Sequence, residues 1–176
     1  ITGTGGNTFP ISIIASDIVG YPVRFIIGFK APEMITGLIR GDVDVTTMPL
    51  SPRWHSAVKD GDARAIAVYS PERQPVFPNI PTGVEQGFPE LGKPELLSYN
   101  LYALPPDTPS AIVSTLESAL AKANRDKDTK QRIEANGSLV KPISGKDTTL
   151  LLEEQFRLVK KHSSLLNKYV KAKKKK

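Results

Sequence analysis

Cysteine is absent from this 176-residue chain, and histidine occurs only twice. The first absence excludes disulfides and thiolate metal centres. The second leaves too few nitrogen ligands for the usual zinc site, so no metal is expected. No apolar run approaches the roughly 20 residues of a membrane-spanning helix. No basic start followed by an apolar core marks a leader peptide. The chain begins inside what reads as a motif, so its true N-terminus is expected to lie further upstream. A basic stripe interleaved with aromatics is also missing, and nucleic acid is not an expected partner. The net charge is +6, but Lys171 and Lys173 to Lys176 supply five of those charges. Residues 171–176 therefore read as a basic, solvated tail. With 39% hydrophobic and 24% charged residues, the rest should pack a core.

The first half alternates two periodicities. Ile11, Ile14 and Ile18 recur at helical spacing, with Asn7 or Thr8 as cap, Pro10 in the first turn and Gly20 at the end. Residues 23–29 (VRFIIGF) read as a buried strand. A helix then runs from Pro32 to Gly41 with Ile35, Leu38 and Ile39 inward, followed by a strand at 43–48. Ser51 and Pro52 open another helix that Gly61 stops, and 64–70 is the next strand. This order predicts βαβ units and a parallel sheet. Residues 71–94 are dense in proline and glycine and read as a long ordered loop. A strand is expected near 96–106. Amphipathic helices follow, with Ile112, Val113, Leu116, Leu120 and Ala123 on one face, then a short helix capped by Asp128 and ended by Gly137. In the last helix, Leu152, Phe156, Val159, Leu166 and Val170 form a stripe behind a Ser144–Asp147 capping box.

The opening ITGTGGNTF poses the functional question. It has no lysine, so it is not a phosphate-binding P-loop. Gly3, Gly5 and Gly6 do not have dinucleotide-fingerprint spacing, and no acidic residue sits at the required distance. Glycines do let a backbone approach a ligand closely. Backbone N–H groups at a helix N-terminus can then hold an anion without a cationic side chain, and Thr4, Asn7 and Thr8 add neutral donors. On the loop alone, an ordinary tight turn is an equally good reading.

Residues 61–87 (GDARAIAVYSPERQPVFPNIPTGVEQG) are more specific. Gly61, Arg64, Ile66, Ala67, Val68, Ser70, Arg73, Pro78, Ile80, Pro81, Thr82, Glu85 and Gly87 resemble the signature of the Bug family, the solute-binding receptors of tripartite tricarboxylate transporters. YNLYALPPDTP (99–109) is similar to the family's aromatic-x-Gly-x-x-x-Pro-x-x-Thr-Pro stretch, with Leu101 at the glycine. FKAPEMITGLIRGDVD is similar to its Tyr-Lys-Gly to Gly-x-Val-Asp stretch, with Phe29 and Ala31 as replacements. In the Gly-x-Gly-Ser-x-x-His ligand loop, Gly3 and Gly5 match, Gly6 replaces serine and Phe9 replaces histidine.

The resemblance implies a periplasmic-binding-protein-like (type II) α/β fold of two lobes that enclose the ligand. Residues 1–96 would be the ligand-loop lobe, with parallel-sheet βαβ units. Residues 97–170 would be the helical C-terminal part of the other lobe, whose early strands have no counterpart here. It implies a periplasmic receptor that captures a small carboxylate, a di- or tricarboxylate or related acid, and delivers it to membrane components of the transporter, with no catalysis and no cofactor. The expected ligand-binding residues are Gly3, Thr4, Gly5, Gly6, Asn7 and Thr8, with Thr46 and Thr47 at the end of the second strand after them.

Other readings are weaker. An enzyme needs convergent titratable groups. Asp17, Glu33, Asp42, Asp60 and Asp62 fall at helix ends or turns, and Asp44 reads as structural, with a cleft-facing place as its alternative. His55, beside Trp54, reads as a packing group. Arg73 and Glu85 read as a loop-bracing ion pair. No catalytic residue is expected. An effector-binding domain of a transcriptional regulator shares the two-lobed plan and is the main alternative, with a small-molecule enzyme behind it. If lobe and cradle are incomplete, the chain should self-associate through uncovered helices and bind carboxylates at only about millimolar strength, ~4 kcal/mol.

Overall fold

The computed structural model describes residues 8–135 and 140–172. Seven α-helices form among them: α1 (Thr8–Val19), α2 (Ala31–Arg40), α3 (Pro52–Lys59), α4 (Ser110–Arg125), α5 (Lys127–Ala135), α6 (Gly145–Lys161) and α7 (Ser163–Ala172). Short 3₁₀ turns occupy Pro89–Gly92 and Pro94–Leu96.

Local chemistry sets most helix ends. Gly20 takes φ +71°. Its N–H donates to Asp17 O and that of Tyr21 to Ser16 O, the paired bonds of a left-handed glycine stop. Gly41 repeats this at the end of α2, where Asp42 N donates to Gly37 O at 2.8 Å. At the start of α2, Lys30 N–H donates to Glu33 at 2.7 Å; lysine has no acceptor with which to complete the reciprocal box. At α6 the Ser144 hydroxyl accepts from Asp147 N–H, as its spacing predicts. Two expected caps differ. Ser51 makes no side-chain cap bond to α3. Asp126, not Asp128, opens α5 by accepting from Thr129 N–H at 2.9 Å. The last amphipathic stretch breaks into α6 and α7 at His162, whose Nδ1 lies 2.9 Å from Leu158 O.

The core centres on α1, which is buried nearly all round rather than along the Ile11–Ile14–Ile18 stripe expected of it. Phe9 and Ile13 pack with Leu166 of α7, flanked by Phe25 and Tyr169. Those two rings meet edge to face at 4.9 Å. Ile14 and Ala15 pack with Leu91 and Leu96 on another side, joined by Tyr69 and Leu158. In α2, Met34 and Ile35 are buried, whereas Ile39, expected inward, is half exposed.

The parallel sheet expected from the βαβ order is not formed among the described residues. Segment 23–30 alternates strictly, with Val23, Phe25, Ile27 and Phe29 half buried and their neighbours exposed. Yet no backbone bond joins 23–29, 43–48 and 64–70 to one another. The one bridge pairs Val68 with Thr82 in parallel. The physical reason is burial: a parallel sheet needs both faces covered. Here Val45 and Ile66 are 57% and 56% exposed, so the second face has no covering layer and extended conformation stops short of a ladder.

No residue of α4, α5 or α6 is buried. α6 lies along the turn at Pro94–Leu96, and Gln155 donates to Leu97 O at 3.0 Å. α4 meets α5 and reaches the start of α6 through Gly145 N–H and Glu117. Its expected inward residues Ile112 and Leu116 face solvent, as do Leu152, Phe156 and Val159 of α6.

Packing around the 3₁₀ turns is tight enough to test. A methyl group at Gly92 would meet Val84 Cγ2 and the backbone of Pro71, the latter at 3.2 Å. Gly92→Ala is expected to lower stability by about 1–3 kcal/mol, read as a lower urea midpoint; an unchanged midpoint would contradict this packing.

Candidate functional site

Segment 71–88 holds the second part of the family signature, and its bonds show how that part is ordered. Thr82 is 1% exposed. Its N–H donates to Glu85 at 2.7 Å, and Glu85 N–H donates back to Thr82 Oγ1 at 3.1 Å. This reciprocal pair is a capping box around one turn. Arg73 Nε donates to both Glu85 oxygens, at 2.9 and 3.0 Å, and its guanidinium also reaches Pro78 O at 3.2 Å. Ser70 accepts from Gln74. Gly87 takes φ +93°, and Phe88 N–H returns to Gly83 O. Through Val68, whose N–H donates to Pro81 O and whose O accepts from Gly83 N–H, the segment clamps the end of 64–70. The Arg73–Glu85 pair is exposed on both sides and contributes little energy by itself. Its work is geometric.

The expected ligand residues divide into two groups. Gly3, Thr4, Gly5, Gly6 and Asn7 lie outside the described residues. Thr8 begins α1 and is buried, and Ser12 Oγ donates to its carbonyl at 2.8 Å. Thr46 and Thr47 end segment 43–48 and are half buried. Thr46 Oγ1 is fully buried and has no hydrogen-bond partner among the described residues. Burial raises the ionisation of the Tyr69 phenol above its usual 10.0, and the nearby Thr47 side chain partly offsets the rise.

Tyr69 is the residue beside this pair that the sequence does not single out; it lies next to the end of segment 64–70, as Thr46 and Thr47 lie near the end of 43–48. Adjacent side chains on an extended segment point to opposite faces. Thr46 and Thr47 therefore face different sides.

Asp44 is exposed. The His55 ring lies 5.7 Å from that of Phe77, at the rim of a groove of about 230 Å³ with Val58, Lys59 and Ile80. A second groove of about 280 Å³ runs along α2 between Phe29, Thr36, Arg40 and Arg53. Both are open surface features, and neither is lined by Thr8, Thr46 or Thr47. Among the described residues there is no cluster of three potential metal ligands, and no helix is long and apolar enough to cross a membrane.

A neutral polar end of extended segments beside a buried helix suits the binding of a solute. The family model for the tripartite tricarboxylate transporter family receptor, TctC, matches residues 27–169. The chain belongs to this family, the Bug-type solute-binding receptors, whose fold is periplasmic-binding-protein-like and whose members are periplasmic transport receptors rather than enzymes. They hand a ligand to the membrane components of the transporter. The match begins after the glycine loop and does not bear on it. No individual curated protein matches the chain.

The clamp gives a pH prediction. The bonds from Thr82, then from Arg73, hold the Glu85 carboxyl below its ordinary 4.5. A depressed carboxylate contributes stability that is present above its unfolded value and lost as pH falls through the folded one. Wild-type stability should therefore drop below about pH 4.5, and Glu85→Gln should flatten that part of a pH–urea midpoint profile. An identical acid slope in the variant would contradict the clamp.

Proposed function

We propose that this receptor binds a small di- or tricarboxylate, and that the buried, unpartnered Thr46 hydroxyl marks where the ligand is held. A buried hydroxyl without a partner costs about 1–3 kcal/mol; a carboxylate oxygen within reach recovers this. The reading places residues 1–96 in the ligand-loop lobe and 97–170 in the helical part of the other, with the extended segments completing a parallel sheet in the closed two-lobed form. The second carboxylate is held by backbone N–H groups of Thr4 to Thr8, with Gly5 and Gly6 allowing close approach, reinforced by the positive end of α1. Thr47 holds a bridging water or the ligand itself. All these groups are neutral, so they recognise carboxylates generally and release them readily. Lobe closure shields the site, and the closed form is what the membrane components read.

Thr46→Val separates this reading from a structural role by sign. Removing the orphan hydroxyl should raise the Tm of the free protein. The same change should weaken citrate or succinate binding about tenfold to hundredfold, the loss of one hydrogen bond to a charged group, ~1.5–3 kcal/mol. Gly6→Val should weaken binding similarly. Calorimetric titration with both acids decides it; wild-type affinity in folded variants would overturn the site.

The exposed faces of α4 and α6 support a further expectation, that the 176-residue chain self-associates. Ile112 is 50% and Phe156 70% exposed, and large apolar patches on monomers are uncommon. Light scattering should show dimers or larger species; a monodisperse monomer would contradict it.

A further inference from the structure

We propose that the exposed apolar edge of α6 docks against α6 of a second copy of this chain, run antiparallel, with Glu153 of each copy beside Lys160 of the other. The inference rests on the expectation that the chain self-associates, and adds which helix meets its copy and in which direction.

One side of α6 is fixed to the core. Leu158 packs against the cluster of Ile14, Ala15, Leu91 and Leu96, and Gln155 donates to Leu97 O at 3.0 Å. The neighbouring side is uncovered. Leu152, Phe156 and Val159 follow at steps of four and three, so they form one stripe along the helix, and all three are exposed. A helix anchored by one side presents the other in a constant direction.

The charges beside the stripe say what fits it. Glu153 and Lys160 are seven residues apart and border the same edge. Acids come first along this stretch, at Glu153 and Glu154, and bases follow, at Arg157, Lys160 and Lys161. Arg157 bonds both acids, whereas Lys160 has no ion-pair partner among the described residues. A second copy turned end for end brings its Lys160 beside Glu153, twice by symmetry. Phe156 then meets Val159 of the other copy. In a parallel pair the flanking contact sets Gln155 beside Lys160, and neither acid gains a new base. An edge that carries acid and then base suits its own reversed copy better than a partner of one charge sign. An anionic lipid surface would be repelled by the two acids. Each exposed pair contributes little, so the dimer is expected to be weak and concentration-dependent.

The test is sedimentation of the full chain over a concentration series at low salt. Glu153→Lys and Lys160→Glu each create two like-charge contacts across the interface and should weaken the dimer about tenfold or more. The double reversal puts opposite charges back in place and should return the dimer Kd to within about threefold of wild type. Phe156→Ser should abolish association. Circular dichroism checks the fold of each variant; Glu153→Gln tests the same contact, with a smaller loss, if Glu153→Lys does not fold. A dimer lost in Phe156→Ser but unmoved by both reversals, or weakened by each and not restored by the double, overturns the antiparallel pairing and leaves self-association standing. A dimer unmoved by Phe156→Ser uses another face and overturns the inference as well. A monomeric wild type overturns both, including one that binds phosphatidylglycerol vesicles through Phe156, which would give the face to a membrane.

Discussion

Helix α1 must be covered on almost every side, and the rest of the chain is arranged around that need. Six of its residues, Thr8, Phe9, Ser12, Ile13, Ile14 and Ala15, are buried. Fully burying a side chain such as Phe9 or Ile13 contributes about 1.5–3 kcal/mol each. Cover comes from distant stretches of chain: Leu166 and Tyr169 from α7, Leu91 and Leu96 from the 3₁₀ turns, Phe25 and Ile27 from the first extended segment. The polar groups that α1 buries are absorbed within it, with Ser12 bonded to Thr8 O and Ser16 to Ser12 O. A helix enclosed in this way is a rigid platform, and its N-terminus is where the glycine loop joins.

The most specific stretch of sequence is braced by its own side chains. Arg73, Thr82, Glu85 and Gly87 close a turn on themselves, and Val68 and Ser70 connect that turn to the end of segment 64–70. A long proline-rich connection would otherwise be the most mobile part of such a chain. Ordering it fixes Tyr69, whose ring packs against the cluster of Ile14, Ala15, Leu91 and Leu96. Residues that identify the family thus order the end of segment 64–70, while the groups proposed to touch the ligand are common threonines and glycines with little signature of their own.

Features encoded within a few residues were legible in the sequence. Gly20, Gly41 and Gly61 stop helices because left-handed backbone strains other residues there, and Ser144 caps α6 because the acceptor and its target lie three positions apart. The signature of residues 61–87 gave the family, which the match over residues 27–169 shows. Features set by partners far along the chain were not legible. Alternation in 23–29 predicts extended backbone, but a ladder also needs a neighbour in register and a covered second face. The stripe on α1 was read too narrowly because Phe9 and Ile13 answer to α7, some 150 residues away. Asp126 and Asp128 both suit a cap, and only the chain direction entering α5 decides between them. Thr46 and Thr47 stood out as a pair, but only the fold shows that the Thr46 hydroxyl is buried without a partner among the described residues.

The central claim is that a carboxylate is held by the Thr46 hydroxyl at the neutral end of the extended segments. A crystal structure of the full chain grown with citrate tests it most directly. The account predicts a carboxylate oxygen about 2.6–3.0 Å from Thr46 Oγ1. Citrate seated instead in the α2 groove beside Arg40 and Arg53, with Thr46 untouched, would contradict it.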